Sequence, residues 1–125
     1  MTLFESGNFV ARSGVLPWKV ECETLIDADW GWAAARIAER VWIRDVYGVP
    51  TGGLKLANAL EQYVRADGEY FLIVDDVLTT GGSMELARRA TARTLMDIPR
   101  AGVVMFARTT PAPWINAIWQ YWGPR

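Results

Sequence analysis

Phe71-Leu72-Ile73-Val74-Asp75-Asp76-Val77-Leu78-Thr79-Thr80-Gly81-Gly82-Ser83 is the stretch on which the reading of this chain turns. Four consecutive apolar residues predict a strand buried on both faces, as in a parallel sheet. Two carboxylates stand at its carboxyl end, followed by a Thr/Gly/Ser turn and then a helix. In an open α/β sheet, ligands bind just outside the carboxyl ends of the strands. Backbone N–H groups and hydroxyls at a helix N-terminus suit a phosphate dianion. Asp75 and Asp76 lie too close to such a phosphate to face it without repulsion, and vicinal acids at the end of an apolar strand are costly unless something uses them. Hydroxyls, a metal or a cation would. A phosphate and a diol held by one strand–loop–helix unit describe a ribose 5-phosphate. The alternative is a turn that only joins strand to helix, with both acids solvated.

Working outward, the helix after the turn is predicted from Ser83 to about Met96, and Pro99 and Gly102 bracket the approach to a buried strand at Val103–Ala107. Upstream, a short strand at 42–47 leads into Gly48-Val49-Pro50-Thr51-Gly52-Gly53, a second glycine-rich loop that opens a helix from Leu54 to about Arg65. Asp67-Gly68 ends that helix before the central strand. Gly48 and Gly53 have the separation of a Walker P-loop, but Leu54 occupies the lysine position, so that motif is rejected. The loop's N–H groups can still receive a second anion, or it is simply a tight strand-to-helix turn. Trp30, Ala33, Ala34, Ile37 and Val41 share one face of a helix from Ala28 to about Val41, capped by Thr24 or Asp27. Residues 8–12 and 16–22 read as extended, with Gly14 turning between them. Pro111 and Pro113 are expected to open a last helix, Trp114 to about Tyr121, whose tryptophans suit core or subunit packing better than base stacking. Alternating strands and helices with buried strands predict an α/β fold with a mostly parallel sheet flanked by helices.

The 125 residues predict a single domain, 1–125, with a segment at 1–24 preceding an α/β core at 25–125. Hydrophobic residues make up 51% of the chain, rich for a monomer, which predicts a homodimer that covers some of that surface. The net charge of −1, without a basic block, argues against nucleic acid. No apolar run has the roughly 18 residues of a membrane span, and Met1–Gly7 has none of the regions of a signal peptide. A lone cysteine, Cys22, cannot close an internal disulfide, so a reduced, cytoplasmic location is expected. With no histidine, proton transfer falls to carboxylates, Lys, Tyr, substrate or water.

The 71–83 run resembles the phosphoribosyl-pyrophosphate (PRPP) binding motif of the type I phosphoribosyltransferases: an apolar strand, two acids, two apolar residues, then Thr- and Gly-rich phosphate contacts. The resemblance implies that family's single-domain fold, with Asp75 and Asp76 on the ribose 2′- and 3′-hydroxyls as the catalytic acids. Val77, Leu78, Thr79, Thr80, Gly81, Gly82 and Ser83 would complete the 5-phosphate loop. Val49, Pro50, Thr51, Gly52 and Gly53 would form the pyrophosphate loop. Phe9-Val10-Ala11-Arg12-Ser13-Gly14-Val15-Leu16-Pro17-Trp18-Lys19-Val20-Glu21 is similar to the opening of the orotate phosphoribosyltransferases, a hood over the base. Arg12 and Trp18 would then meet the base, with Lys19 where that family usually carries another aromatic. Arg108, ending the 103–107 strand, would neutralise pyrophosphate or approach the base.

The resemblance implies transfer of ribose 5-phosphate from PRPP to a pyrimidine, orotate-like base, with release of pyrophosphate. Mg²⁺ would arrive on the substrate, without direct protein ligands. The partners are PRPP and a nucleobase-type acceptor. One family feature is missing: a long hairpin that closes over the site. The interval Leu54–Tyr70 is consumed by one helix and a turn. Lids exclude water and complete a site, so two further readings stay open: a non-catalytic PRPP- or nucleotide-binding regulatory module of the same fold, and a structural subunit of a larger assembly. Lys55, Arg44 or a residue of a second subunit are the candidates to replace the hairpin.

Overall fold

The computed structural model describes residues 4–11, 14–20, 25–95 and 97–120, with the backbone alone described up to residue 20 and at Gln120. Strands β1 (Phe4–Ala11) and β2 (Gly14–Val20) form an antiparallel hairpin with an irregularity between Ser6 and Phe9. The remaining elements are α1 (Asp27–Ala38), β3 (Ile43–Gly48), α2 (Leu54–Leu60), β4 (Tyr70–Leu78), α3 (Gly82–Ala90), β5 (Arg100–Ala107) and β6 (Ile115–Gln120). The last four strands form one parallel sheet in the order β3-β4-β5-β6.

Strand alternation sorts the side chains of β4 into two layers. Leu72 and Val74 pack with Trp30, Ala33, Ala34 and Ile37 of α1 and Leu56 and Leu60 of α2. Phe71 and Ile73 pack on the other face with Met84 and Ala87 of α3. All four β4 residues are buried, as the apolar run predicts. Helix α1 also matches its expected face, except that Val41 lies beyond the helix end. Its N-cap position is Ile26, whose N–H donates to Asp29 Oδ2 at 2.8 Å. Asp27 therefore opens the helix rather than capping it, and Thr24 lies outside the described residues. Among the described residues no helix is long and apolar enough to cross a membrane.

Three boundaries differ from expectation, each for a non-local reason. Helix α3 stops at Ala90 rather than Met96. The carbonyls beyond it turn toward Arg100, whose guanidinium donates to Thr91 O, Thr94 O, Leu95 O (2.9 Å) and Ile98 O (2.8 Å) and lies over the Phe71 ring. That same arginine starts β5, opposite Phe71, three residues before the expected strand. Helix α2 ends at Leu60 and passes through a 3₁₀ turn at Glu61–Tyr63. The connection then ties back to the start of β3, through Arg65 N–H to Ile43 O (2.8 Å) and Glu69 N–H to Trp42 O (2.8 Å).

The expected C-terminal helix is corrected outright: 115–120 is strand β6. Chain segment 108–114 returns along β5 without a helix, and Gly102 N–H donates to Trp114 O at 2.9 Å as the pairing begins. Ile115 enters the α3-side layer and Ile118 the α1-side layer. Trp119 stacks on Phe106 (centroids 5.1 Å apart) and on Trp32 of α1 (5.4 Å), joining the outer strand to the helix layer.

The Arg100 contacts carry a stability prediction. Arg100→Ala leaves a cluster of carbonyls without their cationic donor, a loss of about 2–3 kcal/mol. Arg100→Lys recovers only part of it, because one ammonium cannot span four acceptors. Urea unfolding measures both; a loss below about 0.5 kcal/mol for the alanine variant would show that the guanidinium does not hold this turn.

Candidate functional site

Three loops lie side by side at the carboxyl edge of the sheet: 49–53 after β3, 79–81 after β4 and 108–110 after β5. The middle loop is set by Gly81, whose φ of 85° lies in the left-handed region that glycine enters without penalty. From there α3 begins. Its first intrahelical bond runs from Glu85 N–H to Gly81 O at 3.0 Å, so the amides of Gly82, Ser83 and Met84 precede the helical ladder and carry the positive end of its dipole. Thr80 Oγ1 accepts from Gly82 N–H at 3.3 Å.

These residues bound a cavity of about 230 Å³ lined by Asp75, Val77, Leu78, Thr79, Thr80, Gly81, Gly82, Ser83 and Met84. Of the residues expected at the 5-phosphate, Val77 to Ser83 line it and Asp75 closes one wall, but Asp76 does not line it. Met84 was not anticipated. The inward direction of the third residue of a helix is legible only once the helix is packed. Thr109 was also missed: its hydroxyl donates to Thr79 O at 3.0 Å, and Arg108 N–H donates to Leu78 O at 2.9 Å. The loop after β5 thereby holds the phosphate-type loop in place. Its sequence, Arg-Thr-Thr, carries no motif that would have revealed this.

The two acids have different neighbours. Asp75 follows Phe71 and Ile73 to the α3 side and is buried. Its carboxyl oxygen Oδ1 accepts from Asp76 N–H at 2.8 Å. Burial, reinforced by the neighbouring Asp76 carboxylate, pushes the Asp75 pKa up to about 8. The Asp76 carboxylate stays within hydrogen-bonding reach of the Asp75 side chain and lies against Gly52 of the 49–53 loop. That loop is anchored on β4 by Val49 N–H to Val74 O (2.9 Å) and closed by Gly53 N–H to Val49 O (2.8 Å); its Pro50–Thr51 peptide is cis. Pro50 and Thr51 are exposed, and Val49 is buried.

Other expected residues fall elsewhere. Arg108 sits at the carboxyl edge, where partial burial lowers its pKa, but it does not line the cavity. Arg44 donates to Ala66 O, in the connection tied to the start of β3, at the opposite end of the strands from the loops, so it cannot replace a lid. Lys55 lines a separate hollow between α1 and α2, with Asp27, Asn58 and Gln62. Arg12 lies outside the described residues, and so do the side chains of Trp18 and Lys19. The described residues contain no group of three His, Cys, Asp or Glu placed to hold a metal.

The fold is the type I phosphoribosyltransferase fold. Among solved structures, the chain is similar to the orotate phosphoribosyltransferase of Aeropyrum pernix, with 22% identity and a TM-score of 0.73 over 94% of this chain and 88% of that one. It is also similar to the UMP synthase of Leishmania donovani, with 20% identity and a TM-score of 0.68 over 94% of this chain but 33% of that one. The xanthine-guanine-hypoxanthine phosphoribosyltransferase of Helicobacter pylori follows at 13% identity and a TM-score of 0.50, over 73% and 84% of the two chains. No family model and no curated protein sequence matches the chain.

Asp75 makes stability depend on pH. The unfolded chain releases this proton near the ordinary value of 3.8, whereas the folded protein holds it to about 8. The stabilisation is complete below the lower value, declines as pH rises, and is lost above the higher one. Asp75→Asn cannot ionise, so its melting temperature is expected to change less than that of the wild type between about pH 5 and pH 8, and to exceed it at pH 8. Parallel pH dependence of the two proteins would show that Asp75 titrates normally.

Proposed function

We propose that this chain binds PRPP at the carboxyl edge of its sheet and transfers ribose 5-phosphate to a pyrimidine, orotate-like base, releasing pyrophosphate. The observation that carries this reading is the cavity between Asp75 and the amino end of α3, which offers hydroxyls and helix-start amides to a phosphate beside a carboxyl group suited to a ribose hydroxyl. The likeness to phosphoribosyltransferases of solved structure supports it.

Breaking the bond from ribose C1 to pyrophosphate leaves positive charge on the ring and negative charge on the leaving group. Catalysis is then largely placement and electrostatic stabilisation. Near neutral pH the buried Asp75 holds its proton, so the 5-phosphate enters without meeting a second negative charge in the same cavity. Asp76, against Gly52, would stand between the ribose and the 49–53 loop, whose amides would receive the pyrophosphate. Mg²⁺, when bound, would supply countercharge to the diphosphate. Arriving on the substrate, it would keep its waters and substrate oxygens and need no direct ligand from the described residues.

One observation favours the second reading, a non-catalytic PRPP- or nucleotide-binding module. The α2–β4 connection is tied to the far end of the sheet, and the described residues lining the cavity include no Lys or Arg. A single experiment separates the two. Incubation with PRPP, Mg²⁺ and candidate bases is expected to release pyrophosphate, and Asp75→Asn with Asp76→Asn to reduce the rate by at least about a hundredfold. Tight PRPP binding by calorimetry with no release from any base would establish the module instead; neither binding nor release would remove both. We also read the protein as a homodimer, which the half-exposed Trp32, Trp42 and Trp119 support. Sedimentation as a monomer at micromolar concentration would overturn that.

A further inference from the structure

We propose that Gly52 is a positioning residue for Asp76, so that the pyrophosphate loop and the ribose subsite are energetically linked. This inference rests on the functional reading of those two elements given above. Glycine at 52 is not required by the backbone, because its φ lies outside the left-handed range. It is required by space. A methyl group at 52 would fall on the Asp76 carboxylate, 2.5 Å from both Cγ and Oδ2 and in contact with Oδ1. No real Cβ tolerates such an approach, so either the loop or the carboxylate must move.

The surroundings decide which movements are open. Val77 N–H donates to Asp76 Oδ1 at 2.8 Å, so the carboxylate is held by its own strand. The loop is held by the same strand: Val49 N–H bonds Val74 O, and Gly53 is packed so tightly on Val74 O that a side chain there would also collide. Between these anchors lie Pro50, Thr51 and Gly52, with Leu54 N–H donating to Thr51 O at 3.2 Å. An anion that draws the amides of this loop toward itself changes the support under Asp76, and a ribose hydroxyl bound to Asp76 changes the support of the loop. The link requires no hinge and no lid. It is a van der Waals contact between a glycine and a carboxylate at the junction of two subsites.

The test is a double-mutant cycle on the full chain with Gly52→Ala, Asp76→Ala and the pair. Calorimetry reads the binding of ribose 5-phosphate and, separately, inorganic pyrophosphate, and melting temperature is recorded for all four proteins. Gly52→Ala is expected to weaken ribose 5-phosphate, which has no diphosphate for the loop, by about tenfold or more. In the Asp76→Ala background, where the methyl has room, the same change is expected to alter ribose 5-phosphate binding by less than about twofold. The melting temperature lost in Gly52→Ala is expected to return in the pair, so the cycle can be read even where the single variant folds poorly. Loss of pyrophosphate binding alone, or additive effects of the two substitutions on ribose 5-phosphate, would overturn the link. Should the wild type bind neither ligand, the functional reading fails, and the melting-temperature cycle then decides the packing link by itself.

Discussion

Burial of β4 on both faces is the constraint from which the rest follows. A strand covered by α1 and α2 on one side and α3 on the other must alternate its side chains between two dry layers. The two acids at its carboxyl end stay within reach of each other, yet Asp75 is buried against the 79–84 segment while Asp76 lies against Gly52. Beyond them the order of faces changes, with Val77 joining the α1 layer and Leu78 the α3 layer. The loops that meet those groups are likewise dictated by the sheet, since β3, β4 and β5 all end on the same edge.

The different surroundings of the two acids change their chemistry. Two carboxylates crowded into one cavity with a phosphate would repel it and each other. Here burial leaves Asp75 protonated near neutral pH, while Asp76 rests on the neighbouring loop. The cost is borne by the fold, which must bury an ionisable group whose polar contacts are supplied mainly by its own neighbour. Carboxyl groups shifted in this way cluster at functional sites, as the proposed PRPP site would be. The hydroxyl of Thr109 and the backbone of Arg108 hold the facing loop, so the cavity is framed from two strands rather than one.

Much of this was legible in the amino-acid order. The apolar run 71–74, the glycine-rich loops and the apolar face of α1 are local patterns, and each became the element that its pattern describes. The C-terminal segment was not legible. Its apolar residues at 114, 115, 118 and 119 satisfy a helical spacing as well as an extended one. What selects the strand is the free edge of β5 and the Phe106 and Trp32 rings waiting for Trp119, all far away in sequence. The early end of α3 has the same origin: Arg100 competes for carbonyls that a longer helix would have used internally.

The order of residues alone therefore determined that a strand–acid–acid–loop–helix unit exists and that a second glycine-rich loop precedes it, because strand burial and turn formation depend on neighbours within a few positions. Only the tertiary structure decided that Asp75 is buried beside the start of α3, that Asp76 leans on Gly52, and that Thr109 braces the 79–81 loop. Those facts depend on which strands lie beside one another and how closely their ends approach, and distances between remote segments are set by packing in three dimensions.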